Sequence, residues 1–414
     1  MKTSIAKNEK YSSNFSLKLY NLCQRLPFLR KLKVILYFTD SFLLLFLGKP
    51  KKLKSERKKI IIIYNYAFGD GVIWLCSAKA FRKIYPKDKY EITLICQKGI
   101  NSLYENEGIF DKVIPFNLTA STFNMKERYK LFKKLREVHY DIVLDPIGVY
   151  ECTTNIYMSR AIIAKEKISI LDVTLENKMC PDWMLNRIYT KIIKVTKAKL
   201  SLIEYYAEFI RGLGYKEFKV KLEKLSPLKK GLDLPEKYFI IFPSASTLLK
   251  RWPVDRYVEI AHKIYDKTNL PILLCGTKDD AEIINEFKSK IGDIPIYDFV
   301  SRTSLLEFIE VVRMAKLVIT NDTSTYHIAV VSEIPVAIVT GGYTYDRYVA
   351  YNFENMNKQK KPCIIVHNMD CFNCDNKCCL MKNDTKIWPC LDKITVEYAW
   401  KKIEKLINDN KIGG

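Results

Sequence analysis

Residues Ile60-Ile61-Ile62-Ile63-Tyr64 form a run with no polar side chain, preceded by Lys58-Lys59 and followed by the turn Phe68-Gly69-Asp70-Gly71. A strand with one face in water alternates apolar and polar residues. A short run that is apolar at every position needs cover on both faces, which is the condition of a strand inside a parallel sheet. Runs of this kind return along the chain, separated by helical stretches. The spacing predicts a helix over 72–85 stopped by Pro86, a strand over 90–96, a helix over 126–138 and a strand over 141–144. Another strand follows over 167–170, then a helix over 200–213. Alternation of this sort gives a parallel sheet with helices on both sides, an α/β architecture.

The stretch 226–237, with Pro227, Gly231, Pro235 and three lysines, reads as a linker, and the alternation then restarts. Strands are expected over 238–242, 271–275, 317–320 and 336–339. Helices are expected from Pro253 to about residue 266 and over 280–291, 304–314 and 326–331. The sequence therefore encodes two Rossmann-like doubly wound halves of similar size, with a cleft expected between them. In such sheets ligands bind at the carboxyl ends of strands, so the strand-end loops are where chemistry is sought. The expected organisation is a basic segment 1–57, a first half 58–225, the linker 226–237, a second half 238–392 and a closing helix 393–414. That helix is amphipathic over 395–407 and could cross back onto the first half.

The chain has 414 residues and a formal net charge of +22, with 48% hydrophobic and 28% charged residues, which excludes a disordered chain. The charge is unevenly placed. Residues 1–60 hold 15 Lys or Arg against Glu9, Asp40 and Glu56, a net +12, leaving +10 for the rest. The first sustained apolar run, Val34 to Leu47, is too late and too polar in its flanks for a secretory signal. At about 14 residues it also falls short of the roughly 20 that cross a bilayer. Its flanks are basic, with Arg30, Lys31 and Lys33 before it and Lys49, Lys51, Lys52 and Lys54 after it. Apolar runs between basic flanks suit attachment to an anionic membrane surface. A docked helical extension with a solvated basic face is the structural alternative. Nucleic acid would also attract such charge, but no nucleic-acid-binding fingerprint accompanies it, and nucleic acid is not an expected partner.

Three strand-end segments carry candidate chemistry. In Gly69-Asp70-Gly71 the carboxylate of Asp70 could accept a proton from an attacking hydroxyl, although Asp also caps helices routinely. In Phe242-Pro243-Ser244-Ala245-Ser246-Thr247-Leu248-Leu249-Lys250-Arg251-Trp252-Pro253, the cluster of hydroxyls, backbone N–H groups and a lysine could hold a phosphate or diphosphate. Trp252 could equally be core, and Pro253 a first helical residue. The third segment is Thr320-Asn321-Asp322-Thr323-Ser324-Thr325-Tyr326-His327, whose hydroxyls and amides again join strand to helix, with His327 on the first helical turn. Gly341-Gly342 follows the next strand and would permit close approach of backbone to a ligand.

Taken in this order across two halves, the segments resemble the pattern of glycosyltransferase family 9, typified by the lipopolysaccharide heptosyltransferases. The resemblance runs from about residue 59 to 406 and is most specific in its last motif. It implies a GT-B-type fold and an inverting transfer without a metal ion or other catalytic cofactor. The implied donor is a nucleotide-diphosphate sugar, ADP-heptose-like among the options, and the implied acceptor a lipopolysaccharide or lipooligosaccharide core or similar glycolipid. By the same resemblance Asp70 is the catalytic base, and Ser246, Lys250, Asp322, Thr323, Ser324, His327 and Gly341 are donor-side residues. Asp280, after Gly276, matches an acidic residue that meets the donor ribose. A cytoplasmic protein, peripheral on the inner face of the membrane, is implied. Three positions depart from the pattern. Ser324 stands where glycine is usual, Tyr64, Tyr66 and Ala67 where an arginine and small residues precede the turn, and Cys76 where proline is common. A sugar-nucleotide-binding protein that has lost turnover is the alternative these departures favour.

Of 12 cysteines, Cys371, Cys374, Cys378 and Cys379 fall within nine residues, with Cys363 and Cys390 on either side. Cys371, Cys374, Cys378 and Cys390 could supply four thiolates to a structural zinc ion or an iron–sulfur cluster. Reduced packing cysteines, disulfides and a metal-stabilised nucleic-acid-binding protein are the competing readings.

Overall fold

The computed structural model describes residues 34–50, 56–149, 153–174, 180–198, 200–228, 231–351, 353, 355–357, 360–382 and 384–413. Most of the basic segment, residues 1–33 and 51–55, lies outside the described residues. The chain divides into two compact units, Met1–Ala67 with Ser77–Lys219 and Phe68–Cys76 with Val220–Gly414.

The first unit is built on six parallel strands: β1 (Lys58–Tyr64), β2 (Tyr90–Gln97), β3 (Lys112–Phe116), β4 (Tyr140–Asp145), β5 (Ala164–Asp172) and β6 (Lys191–Val195). Their order is β3-β2-β1-β4-β5-β6. The isoleucine run lies near the middle, with Ile62 paired to Leu94 on one side and Leu144 on the other, and all four isoleucines have no solvent exposure. Tyr64 is equally buried. Its hydroxyl is 2.8 Å from that of Tyr206, and its ring meets Tyr66 and Tyr104 edge-on.

The second unit repeats the plan with β7 (Phe239–Phe242), β8 (Ile272–Leu274), β9 (Ile296–Asp298), β10 (Leu317–Asn321), β11 (Val336–Val339) and β12 (Cys363–Ile365). All are parallel, in the order β12-β11-β10-β7-β8-β9, which is the first order read from the other edge. The strand order therefore reverses at β1/β4 and again at β7/β10, and at such switch points the strand-end loops part to leave a crevice.

One expectation needs correction. The helix expected over 72–85 is two helices, Phe68–Ala78 and Phe81–Ile84, separated by a turn in which Ala80 N–H bonds to Ser77 O at 3.0 Å. It starts four residues early, so Gly69-Asp70-Gly71 forms its first turn rather than a loop ahead of it. Ala399, Ile403, Leu406 and Ile407 of the closing helix, Val396–Asp409, belong to the core of the second unit. Strands β3, β6, β9 and β12 were not expected. All four are edge strands, short or partly exposed, and offer little periodicity to read.

Ahead of β1, the helix Ile35–Leu45 is held on the first unit by a buried ion pair. The guanidinium of Arg128 donates to both carboxylate oxygens of Asp40, each at 2.6 Å, and lies over the rings of Tyr157 and Phe132. Arg160 adds a 2.6 Å hydrogen bond to Ser41 Oγ and stacks on Tyr37. Both members of the Asp40–Arg128 pair are about 1% exposed, so removing one leaves an uncompensated buried charge. Arg128→Met is expected to destabilise the first unit by about 3–5 kcal/mol in urea unfolding, and Asp40→Leu with Arg128→Met to recover most of that loss.

Candidate functional site

The site is assembled at the β7/β10 switch point of the second unit. β7 ends at Phe242, paired to Thr320 of β10, and from there the two chains diverge. Asn321 bridges the gap. Its amide donates to Pro243 O at 2.7 Å and Ser244 O at 3.2 Å, while its carbonyl accepts from Trp252 N–H at 3.0 Å. Trp252 is fully buried, with its indole N–H on Ile394 O, so the far end of the loop is anchored in the core. The loop between these fixed ends carries an exposed Ser246 and a short 3₁₀ turn, Leu248–Lys250.

That turn delivers Lys250 to Asp322, with Nζ 2.6 Å from Oδ2. Burial alone would raise the Asp322 carboxyl, but the Lys250 ammonium beside it, aided by His327 and the Tyr343 hydroxyl, holds it below the usual carboxylate range. Tyr343 closes the far side, its ring 5.2 Å from Lys250 Nζ. Thr323 is the N-cap of the helix Ser324–Val331, and its hydroxyl lies 3.1 Å from that of Thr320. The first turn of that helix presents N–H groups with no intrahelical partner, a place that favours an anion. A lysine, hydroxyls and a helix N-terminus thus converge where a diphosphate could sit.

His327 lies one turn into this helix and is buried. Burial pushes its imidazole down to about 4, with Asp322 opposing and Lys250 reinforcing the shift, so the ring is neutral at physiological pH. Its Nδ1 shares a hydrogen bond with the Tyr351 hydroxyl, and Tyr351 stacks on Tyr326. Asp70 belongs to the same unit, because Phe68–Cys76 packs with Val220–Gly414. Gly69 sits directly on His327. A Cβ at that position would lie 2.9 Å from His327 Cδ2 and 3.4 Å from Ser324 Cα, too close for any other residue without displacement. The half-buried Asp70 is therefore held near the start of the helix that carries Thr323 and Ser324, and its charge reaches the Tyr348 and Tyr351 hydroxyls.

Two expected donor-side residues have structural work of their own. Asp280 completes a capping box, accepting from Thr277 N–H and Oγ1 at 2.8 Å each, and its other oxygen accepts from Ser244 Oγ at 2.5 Å. It thereby ties the β8 loop to the β7 loop. At Gly341, the space a side chain would need is filled by Cys390 Sγ and the Tyr343 ring, so packing accounts for that glycine without a ligand.

The structure brings the expected cysteines together: Cys371, Cys374, Cys378 and Cys390 line one small cavity together with His367 and Trp388. Among the described residues no three His, Cys, Asp or Glu side chains are disposed to hold a metal ion. Burial raises the thiols of Cys371, Cys374 and Cys390, with neighbouring cysteines adding to the shift. Asn321 and Ser244 lay inside quoted motifs without a role of their own, and Tyr343 and Tyr351 were absent from the sequence expectation. Tyr351 had no signal in the sequence.

Two parallel six-stranded sheets of this strand order define a GT-B-type architecture. Residues 128–379, more than half of the chain, match the family described as glycosyltransferase family 9 (heptosyltransferase), and the chain belongs to that family. It is similar to lipopolysaccharide heptosyltransferase 3 of Escherichia coli (strain K12), 23% identical over 281 residues, covering 66% of this chain and 79% of that protein. Among solved structures, a glycosyl transferase family 9 protein from Veillonella parvula DSM 2008 superposes with a TM-score of 0.66 at 16% identity, covering 86% of this chain and 99% of that one. Escherichia coli heptosyltransferase WaaC with ADP-2-deoxy-2-fluoro heptose gives a TM-score of 0.62 at 15% identity, covering 84% and 99%.

The His327 environment makes a pH prediction. Its pKa in the folded chain lies below its ordinary 6.5, so the unfolded chain takes up the proton first. Stability is undiminished above 6.5 and falls as pH drops from there towards 4, by about 3 kcal/mol. In urea titrations over that range, His327→Gln is expected to remove this fall.

Proposed function

We propose that this glycosyltransferase moves a sugar from a nucleotide-diphosphate donor to a hydroxyl of a membrane glycolipid, with inversion at the anomeric carbon and without a metal ion. The observation that carries the reading is the packing of Gly69 on His327, which holds the Asp70 carboxylate close to the helix start of the diphosphate crevice. Asp70 takes the proton of the acceptor hydroxyl as that oxygen attacks the anomeric carbon from the face opposite the diphosphate. Charge grows on the departing diphosphate as the bond breaks. Lys250 carries three donor hydrogens and can retain Asp322 while bonding a phosphate oxygen. The Thr323 and Ser324 N–H groups, and Ser246, add fixed donors where that charge develops. The neutral His327, with Tyr351 donating to Nδ1, offers Nε2–H as a further donor.

The second unit is the donor side in this reading, with Asp280 near the ribose, and the first unit the acceptor side. An ADP-heptose-like donor is supported by WaaC, whose structure contains an ADP-heptose analogue. A lipopolysaccharide core or similar acceptor is supported by the name of the Escherichia coli relative. Such an acceptor would be met on the inner face of the cytoplasmic membrane. No helix among the described residues is long and apolar enough to cross a membrane.

A donor screen with extracted glycolipid, reading release of ADP, UDP or GDP, tests the reaction. Release is expected with one nucleotide sugar, and Asp70→Ala is expected to lower the rate by at least about a hundredfold while ADP binding in calorimetry is unchanged. Turnover surviving in Asp70→Ala would remove its role as base. Absence of release with every donor, alongside retained nucleotide binding, would favour a protein that binds without turnover. Lys250→Met is expected to weaken ADP binding by about ten- to a hundredfold, the loss of one charge-assisted bond.

A further inference from the structure

The helix Ile35–Leu45 is inside-out. Its one charged residue, Asp40, faces the protein and is 1% exposed, whereas Phe38, Phe42 and Leu45 are 61%, 62% and 80% exposed. Ile35 and Phe46 join them. At 100° per residue these five side chains cover an arc of about 100° centred close to Phe42, a single outer face. The inner face carries Tyr37 and Leu47 into the core of the first unit, with Leu36 and Leu44 packed against it. The helix is not loosely laid on the surface. Asp40 is gripped by both arms of Arg128, and Ser41 is held by Arg160.

A second element continues the apolar face. Trp183, 42% exposed, lies on the helix Asp182–Ile188 with its ring 6.1 Å from Phe38 and 5.1 Å from Tyr37. Phe42 and Phe46 form a second aromatic pair, 4.8 Å apart and edge-on. Two described cations adjoin the patch, and more lie nearby in sequence. The exposed Arg187 sits over the Trp183 ring, Lys49 is exposed just past the helix, and the sequence continues with Lys51, Lys52 and Lys54. Arg30, Lys31 and Lys33 precede the helix in sequence.

We propose that this face is a rigid membrane-insertion surface, in which Phe38, Phe42, Leu45, Phe46 and Trp183 enter the acyl–headgroup boundary and the surrounding cations meet anionic headgroups. The partner is a lipid bilayer with anionic lipid, and charge complementarity selects it. A second copy of this chain would set the basic rim against itself, whereas phosphate-bearing headgroups neutralise it. Aromatic rings, tryptophan among them, settle at the level of the headgroups. The Asp40–Arg128 pair fixes which way the helix faces, so the bilayer meets an element continuous with the folded body rather than a tethered tail. This extends the reading of the acceptor as a membrane glycolipid. The test below needs neither donor nor acceptor, so the two readings fail separately.

Full-length protein is sedimented with vesicles of phosphatidylethanolamine and phosphatidylglycerol, and Trp fluorescence is followed with brominated acyl chains. Wild type is expected to partition onto these vesicles and weakly onto phosphatidylcholine. Phe42→Asp with Leu45→Asp is expected to lower partitioning at least about tenfold, with the thermal midpoint unchanged because both side chains are exposed. Phe42→Leu should retain binding. Quenching by bromine is expected in wild type and largely lost in Trp183→Phe. Equal partitioning of the double-Asp variant, or quenching indifferent to Trp183, would overturn the proposal by assigning attachment to the basic segment alone. A wild-type dimer that the double-Asp variant converts to monomer, or no vesicle binding by wild type, would overturn it as well.

Discussion

The side-chain amide of Asn321 is the bond set on which the β7/β10 crossing depends. At a switch point the two strand ends lead their loops apart, and something must fix how far. Asn321 does so with three hydrogen bonds, two given to the β7 loop and one accepted from the backbone of Trp252. A buried side chain that is 0% exposed and fully satisfied loses little freedom in use, and it defines where Lys250 emerges. The Lys250–Asp322 pair, the Tyr343 ring beneath it and the helix starting at Ser324 all take their positions from that crossing.

A second constraint comes from the absence of a side chain. Gly69 is the one residue type that lets the first turn of the helix Phe68–Ala78 lie against His327 and Ser324. The contact joins a carboxylate suited to accept a proton to a helix suited to bind an anion. His327, neutral and buried, is what makes the contact inexpensive, since a charged imidazole would need solvent that Gly69 and Tyr351 displace. Serine at position 324, where glycine is usual in the family, is accommodated half-buried at the helix start.

The two Rossmann-like halves were legible because their central strands are apolar at every position, and Ile60 to Ile63 are buried as that pattern requires. Edge strands such as Lys191–Val195 were not legible, since a partly exposed strand of mixed polarity has no periodicity to read. The crossing of the β7 and β10 loops was visible as hydroxyl-rich strand ends with a lysine between them, and the structure does bring Lys250 to Asp322 there. Tyr351 was invisible because its role is purely spatial. The ligand-like spacing of the cysteines corresponds to a shared place in the fold, with four thiols on one cavity. Asp40 reversed its apparent meaning. In sequence it interrupts an apolar run, and in the structure it is the inward-facing anchor that turns the apolar residues outward.

Binding of a nucleotide sugar's diphosphate at the β7/β10 crossing is tested directly by a crystal structure of the protein with ADP. Phosphate oxygens are expected within hydrogen-bonding distance of Lys250 Nζ and of the N–H groups that open the helix Ser324–Val331, with Asn321 keeping its three bonds. Nucleotide bound elsewhere, or at the crossing with Lys250 still directed only at Asp322, would contradict it.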